Sequence, residues 1–252
     1  MRSPLNKRLF RELRGEFGKY LVIFILMTLT IGMVSGFLVA DGSMIQAYEE
    51  SFEKYNIENG HFRTEKKMNN AQIQDIEDLG IKLYENYYVE EALTNGSTMR
   101  IFKNRDEVNK VCLMKGKMPE KPGEIGIDRM YADNNDLSVG DEIESGGHTW
   151  KITGLVALLD YSALFSNNND SMFDSVKFGV SVVCPEEFDS YKADQLNYSY
   201  AWKYNTEPKN EKAEKDISED LMEDVAKEVT LEEFVPRYTN QAIIFTGDDM
   251  GG

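Results

Sequence analysis

A chain of 252 residues with a formal net charge of −16 is long enough to bury a substantial core. Its acidic balance argues against a nucleic-acid partner, whose phosphates call for clustered cations. The charge is unevenly divided. Residues 1–19 set Arg2, Lys7, Arg8, Arg11, Arg14 and Lys19 against Glu12 and Glu16, a net +4; residues 20–40 carry none, which leaves −20 for residues 41–252.

In chain order, Ser3 and Pro4 suit a helix start, and Leu5, Leu9, Leu13 and Phe17 recur every four residues among arginines and lysines. This predicts a basic amphipathic helix, residues 1–19, lying on the inner membrane surface. Tyr20 to Ala40 then runs without a charge. As a helix it would be about 31 Å long, close to the thickness of a bilayer's hydrocarbon core. Basic residues beside a span mark its cytoplasmic end, so residues 41–252 are expected outside the cytoplasm. A cleaved signal peptide is the competing reading, but its apolar core would be shorter, and Val39-Ala40-Asp41 is a poor cleavage site. Gly32 and Gly36 form a weak small-xxx-small pair for packing against another helix. Met44, Tyr48, Phe52 and Tyr55 continue the helical spacing, so residues 41–60 read as a stalk that Asn59-Gly60 ends.

From His61 the pattern alternates. Residues 61–66 suit a strand, and Asn70 is placed as the cap of a helix holding Ile73, Ile76 and Leu79, closed by Gly80. Ile81, Leu83, Tyr87 and Val89 follow a broken period of two, and Asn95-Gly96 is a hairpin turn before a strand through Met99 and Ile101. Val111 to Met114 is a further apolar run. Between Gly116 and Pro185 come short β segments: Glu124–Asp128, Asp141–Ile143, Trp150–Val156 and Lys177–Cys184. Gly146-Gly147 reads as the turn between the second and third, and residues 161–175 as an exposed loop. Tyr198, Tyr200, Trp202 and Tyr204 alternate, which predicts a strand with one aromatic face. Glu211–Glu228 is a charged helix with Ile217, Leu221 and Val225 at spacing four, and strands are expected at Val229–Leu231 and Ala242–Phe245.

Catalytic and metal-binding motifs are absent. There is no Gly-x-x-x-x-Gly-Lys-Ser/Thr phosphate loop, no His-Glu-x-x-His or Cys-x-x-Cys, and no Gly-x-Ser-x-Gly. His61 and His148 stand alone, with His148 read as ordinary surface. The Asn167–Asp170 run lacks the glycine and terminal glutamate of a calcium loop. Cys112 and Cys184 sit in apolar runs and read as two buried thiols, although an extracytoplasmic setting would permit a disulfide. No enzymatic activity, cofactor, metal or catalytic residue is therefore expected.

One series of motifs carries a resemblance. It runs Gly116-Lys117-Met118-Pro119, Pro122-Gly123-Glu124-Ile125-Gly126-Ile127-Asp128, Leu137-Ser138-Val139-Gly140-Asp141-Glu142-Ile143 and Trp150-Lys151-Ile152-Thr153-Gly154-Leu155-Val156. It resembles the core domain of FtsX-like or MacB-like permeases of bacterial ABC transporters, closely over 116–156 and loosely elsewhere. The fold class expected is α+β. One N-terminal transmembrane helix with a stalk precedes a mixed extracytoplasmic domain, in which two β-α-β parts (61–115 and 186–245) flank a β-rich insert (116–185). Residues 246–252 would lead into a second span. The resemblance implies a membrane-embedded permease subunit with a cytoplasmic ABC ATPase as partner, and further permease spans or a second permease copy. It also implies that motion driven by ATP hydrolysis reaches an extracytoplasmic domain. The alternative is a single-span, membrane-anchored extracellular binding or sensor module.

Overall fold

The computed structural model describes residues 14–145 and 147–245, with backbone alone for residues 37–49. The expected basic helix lies mostly outside these residues, as do Gly146, the side chains of Met44 and Tyr48, and the 246–252 lead-in. Two compact units divide at Tyr48/Glu49. Helix α1 (Phe17–Lys54) begins in the first and ends in the second. Its stretch Phe17–Gly36 is long and apolar enough to cross a membrane, with mean hydropathy 2.0 and none of it buried in the chain. Thr28 and Thr30 return their hydroxyls to the carbonyls of Phe24 and Leu26, each at 2.8 Å. Those bonds pair both threonine hydroxyls within the helix itself, as a hydrocarbon setting requires.

Helix α1 stops earlier than the expected Asn59-Gly60. Asn56 adopts φ +48°, the Asn56 amide bonds the Glu53 carbonyl, and the Ile57 amide bonds that of Phe52. This is the paired 5→2 and 6→1 pattern of a Schellman end, with asparagine in the left-handed position.

The first sheet holds β1 (Gly60–Thr64), β2 (Ile81–Glu85), β10 (Tyr198–Tyr204) and β11 (Leu231–Pro236), in the order β11-β1-β10-β2 and antiparallel throughout. Helix α2 (Asn70–Glu77) joins β1 to β2, and α5 (Glu211–Glu228) joins β10 to β11. Each β-α-β unit is thus split by a strand of the other, the ferredoxin-like arrangement. The alternation expected for β10 is present. Tyr200 and Trp202 are fully buried and stack with Phe62 of β1 and Phe234 of β11, at centroid distances of 4.8–6.3 Å. The cap of α2 is Asn69 rather than Asn70, in a capping box with Gln72. On α5 the buried positions are Ser218, Leu221 and Val225, whereas Ile217 is exposed. A 3.6-residue turn rotates a strict spacing of four off the packed face.

The second sheet has seven strands. β3 (Tyr88–Ala92), β4 (Thr98–Lys103), β9 (Phe178–Val183), β6 (Glu124–Asp128), β8 (Thr149–Ala157) and β5 (Cys112–Gly116) follow one another in that order, and β7 (Glu142–Glu144) pairs with β8. β4 runs parallel to β9, and β6 to β8. β9 is buried at every residue, as a strand covered on both faces should be. The Asn95-Gly96 and Gly147 hairpins join antiparallel pairs as expected.

The boundary between the two sheets differs from the expected one. Residues 88–116 pair in the larger sheet, so the small sheet is assembled from 60–85 and 198–236 only. The broken alternation from Ile81 to Val89 is two strands in two sheets, separated by Asn86-Tyr87. Short helices α3 (Arg129–Asn134) and α4 (Pro185–Phe188) escape periodicity because neither spans two full turns. Ala242–Phe245 is helical rather than extended: Asn240 caps it, with Ala242 N on its Oδ1 at 3.0 Å. Residues 161–175 are not simply exposed, since Ala163, Leu164 and Phe165 are buried.

The motif series builds turns in this sheet. Ile125 and Ile127 are core, and Asp128 caps α3 through Met130 N and Tyr131 N. Gly116 and Gly154 face each other across β5 and β8. A Cβ on Gly154 would lie 2.5 Å from the Lys117 carbonyl oxygen, and one on Gly116, at φ +80°, would collide with the Thr153 carbonyl. Gly154→Ala is therefore expected to cost about 1–3 kcal/mol. A thermal midpoint equal to that of the parent chain would refute this reading of the motif.

Candidate functional site

The residues after α1 enter the domain through its most constrained ground. Ile57, Glu58 and Asn59 are at most 1% exposed. Their backbone is held from both sheets. The Tyr55 and Asn56 carbonyls accept from Lys110 N (2.8 Å) and Asn109 N (3.1 Å) in the β4–β5 loop. Asn59 N donates to the Trp202 carbonyl of β10 (2.8 Å), and its own carbonyl accepts from Arg237 N (2.8 Å) beyond β11. Gly60 lies under the Trp202 ring; a Cβ there would strike that ring and approach the Val235 carbonyl oxygen at 2.7 Å. Only glycine lets the chain pass.

Glu58 makes the buried chemistry of this passage. Its carboxylate accepts from Asn109 Nδ2 at 2.5 Å and faces His61 Nδ1 at 2.6 Å, while its amide donates to Asn109 Oδ1 at 2.9 Å. Burial pushes the Glu58 carboxyl up, but His61, Asn109 and the charge of Arg105 outweigh it and hold it below the usual range. Burial lowers the His61 imidazole, and Glu58, with Glu233 and Asp160 behind it, more than restores it, so it titrates above 6.5.

Close by, Arg105 grips Asp160 with both ends of its fork, Nη1 to Oδ2 at 2.7 Å and Nη2 to Oδ1 at 2.9 Å, and also reaches Asn86 Oδ1 at 3.1 Å. Both partners are buried, at 7% and 3% exposure. Burial pushes the Asp160 carboxyl up, and the Arg105 guanidinium offsets this only in part, so the group stays above the usual carboxylate range. The guanidinium lies 4.7 Å over the Phe102 ring. A parallel arrangement holds Arg100, set over Tyr88 and Phe178 and bonded to Glu90, Tyr161 and the Ser166 carbonyl.

Two clefts open beside this junction. One, of about 730 Å³, is bordered by Lys82, Tyr84, Tyr87, Lys103, Arg105 and Tyr191; the other, of about 490 Å³, by Arg63, Tyr88, Arg100, Ser166 and Lys177. Several of their cations already have neighbours: Lys103 bonds Asp189, Lys82 lies over Tyr84, and Arg63 pairs with Glu232. The charged groups at the junction pair with one another, an arrangement that holds the entry segment, β1 and the loops of the larger sheet together.

Of the two histidines singled out by sequence, His61 lies at this junction, beside the Asn59-Gly60 pair read as the end of the stalk. His148 lies elsewhere, against Trp150 and Tyr191 with Glu91 on its Nδ1 at 2.9 Å, so it is tied in rather than plain surface. Asp170 closes its own loop by accepting from Ser166 Oγ and Asn167 N. Cys184 is buried and Cys112 only half-buried, where it accepts from Tyr55 Oη at 2.9 Å; the two form no disulfide. Gly32 and Gly36 have open space around their Cα atoms. Asn109, Arg105 and Asp160 gave no local signal, because Asn109 meets Glu58 across 51 residues and Arg105 meets Asp160 across 55; only Glu58 has a nearby partner, His61 three residues on.

Because His61 is raised in the folded state, its contribution is complete below its ordinary 6.5 and is lost as pH rises through the folded value. Glu58 is depressed, so its share is present above its ordinary 4.5 and fails only on deeper acidification. The thermal midpoint should therefore decline as pH rises above about 6.5, and His61→Gln should flatten that decline. Equal slopes in the two proteins would show that the pair is not linked to folding.

The sequence matches no protein-family model and no curated protein. Among solved structures, the periplasmic region of MacB from Actinobacillus actinomycetemcomitans is similar at 11% identity and TM-score 0.38, over 77% of this chain and 93% of that one. The extracellular domain of the noncanonic ABC-type transporter YknZ from Gram-positive bacteria is similar at 10% identity and TM-score 0.33, over 67% and 92%. A putative lipoprotein from Bacillus anthracis is similar at 11% identity and TM-score 0.34, over 70% and 96%.

Proposed function

We propose that the chain is the N-terminal part of a permease subunit of a bacterial ABC transporter. In this reading it is not itself an enzyme, and it couples ATP hydrolysis by a cytoplasmic partner to motion of a domain outside. The observation that carries the reading is the passage from α1 into the domain. The helix that contains the apolar span continues to Lys54, and the next residues are bonded to both sheets at once. A flexible tether would need neither the buried Glu58 nor the glycine under Trp202. The motif series at 116–156 supports the same family.

Two measurements test it. Met172 is 80% exposed, so Met172→Cys in a Cys112→Ser background should react with a membrane-impermeant maleimide on intact cells. Reaction only after lysis would reverse the orientation. The tagged chain, extracted from its native membranes in mild detergent, should bring down an ATP-hydrolysing ABC subunit in defined ratio. Recovery of the chain with no ATPase would favour an anchored sensor module and refute the permease reading.

A further inference from the structure

The segment through which the chain enters the domain and the last described segment, residues 237–245, do not rely on each other directly for most of their bonds. Both are fastened to loops of the larger sheet. The entry segment is fastened to the β4–β5 loop: Asn56 Nδ2 donates to the Glu107 carbonyl (2.7 Å), and Asn109 holds Glu58 at both its amide and its carboxylate. The last segment is fastened to the loop after β8. Ser162 Oγ and Ala163 N both donate to the Ala242 carbonyl, at 2.8 and 2.9 Å. Gln241 N donates to Asn168 Oδ1 at 2.8 Å, and Phe165, Phe173 and Phe245 form a three-ring cluster with centroids 5.3–5.7 Å apart.

Arg105 and Asp160 join these two loops. Arg105 lies in the β4–β5 loop, four residues before Asn109; Asp160 sits in the 3-10 turn Leu159–Tyr161, directly before Ser162. The bidentate pair between them is buried, and a buried fork has far fewer alternative geometries than an exposed lysine pair. Arg105 also acts as counter-charge to Glu58, while Glu58 and Asp160 oppose each other. One guanidinium therefore balances a carboxylate on each side.

We propose that the Arg105–Asp160 pair is a strut that makes the entry segment and residues 237–245 move as one, so that a displacement delivered through α1 is felt at the other segment. The inference rests on the permease reading for its purpose, since only a domain driven through its spans needs such a link. The strut itself is a property of the fold.

The test is hydrogen exchange on the full chain in detergent micelles, followed peptide by peptide. Asn109→Ala loosens the entry segment without touching residues 237–245. With the strut intact, it should speed exchange in 55–61 and also, roughly tenfold, in 159–165 and 237–245, while peptides from β6 and β9 keep their protection. With Arg105→Met and Asp160→Asn combined, a change that removes both charges and so leaves no unpaired ion, Asn109→Ala should speed exchange in 55–61 alone. Unchanged exchange at 237–245 in the strut-bearing Asn109→Ala chain overturns the proposal, as does an equal rise with and without the strut. Should the double variant fail to fold, Asp160→Asn alone takes its place, with the same two outcomes. The ATPase plays no part in the measurement, so its outcome is separate from that of the copurification.

Discussion

A carboxylate at 1% exposure dictates how the chain can leave its long helix. Removing an ion from water costs several kcal/mol unless partners of opposite charge and good geometry replace the solvent. Glu58 finds them only where His61 of β1, Asn109 of the β4–β5 loop and the field of Arg105 converge. The junction of two sheets is thus specified by a group that would be destabilising anywhere else. The chain passes it through Gly60, since Trp202 fills the space a side chain would need.

The topology explains why this spot connects so much. In the small sheet, the strand that follows the junction, β1, lies between β11 and β10 and so ties the start of the domain to its last two strands. Its residue Phe62 stacks in the aromatic layer, whereas His61, on the opposite face of the strand, borders a small cavity together with Phe102 and Tyr161. The larger sheet is inserted between β2 and β10, and its loops return to the junction from outside the small sheet. A displacement of the entry segment therefore meets backbone bonds to both sheets and a buried ion pair, rather than soft surface contacts.

The motif run at 116–156 has a structural meaning apart from this junction. Its glycines permit β5 and β8 to approach closely, its isoleucines fill the core, and Asp128 caps a helix. These are conditions for building the insert, and none of the residues touches Glu58 or Asp160 by hydrogen bond. Where a family resemblance is strongest, the chemistry is scaffolding; the residues that tie the chain together lie in loops with no motif.

Much of the secondary structure was legible because it follows from local periods. The aromatic alternation of β10, the bounds of α5, the hairpins at Asn95-Gly96 and Gly147 and the apolar span are all visible in windows of a few residues. The failures share a cause. Ile81–Val89 looks like one interrupted strand because nothing local reveals that Asn86-Tyr87 carries the chain from one sheet to the other. Ala242–Phe245 has strand-like composition, yet the Asn240 cap and the docking of Ala242 against Ser162 and Ala163 make it helical.

By itself the sequence determined the charge-free segment with its basic flank, the α+β class and the absence of familiar catalytic motifs, since each depends on composition or on neighbours a few residues apart. The tertiary structure alone decided where the sheets divide, and which charges are buried together. Glu58 meets Asn109 across 51 residues and Arg105 meets Asp160 across 55. No period reports such a meeting, because what selects it is the low dielectric of a closed interior, and that exists only once the chain has folded.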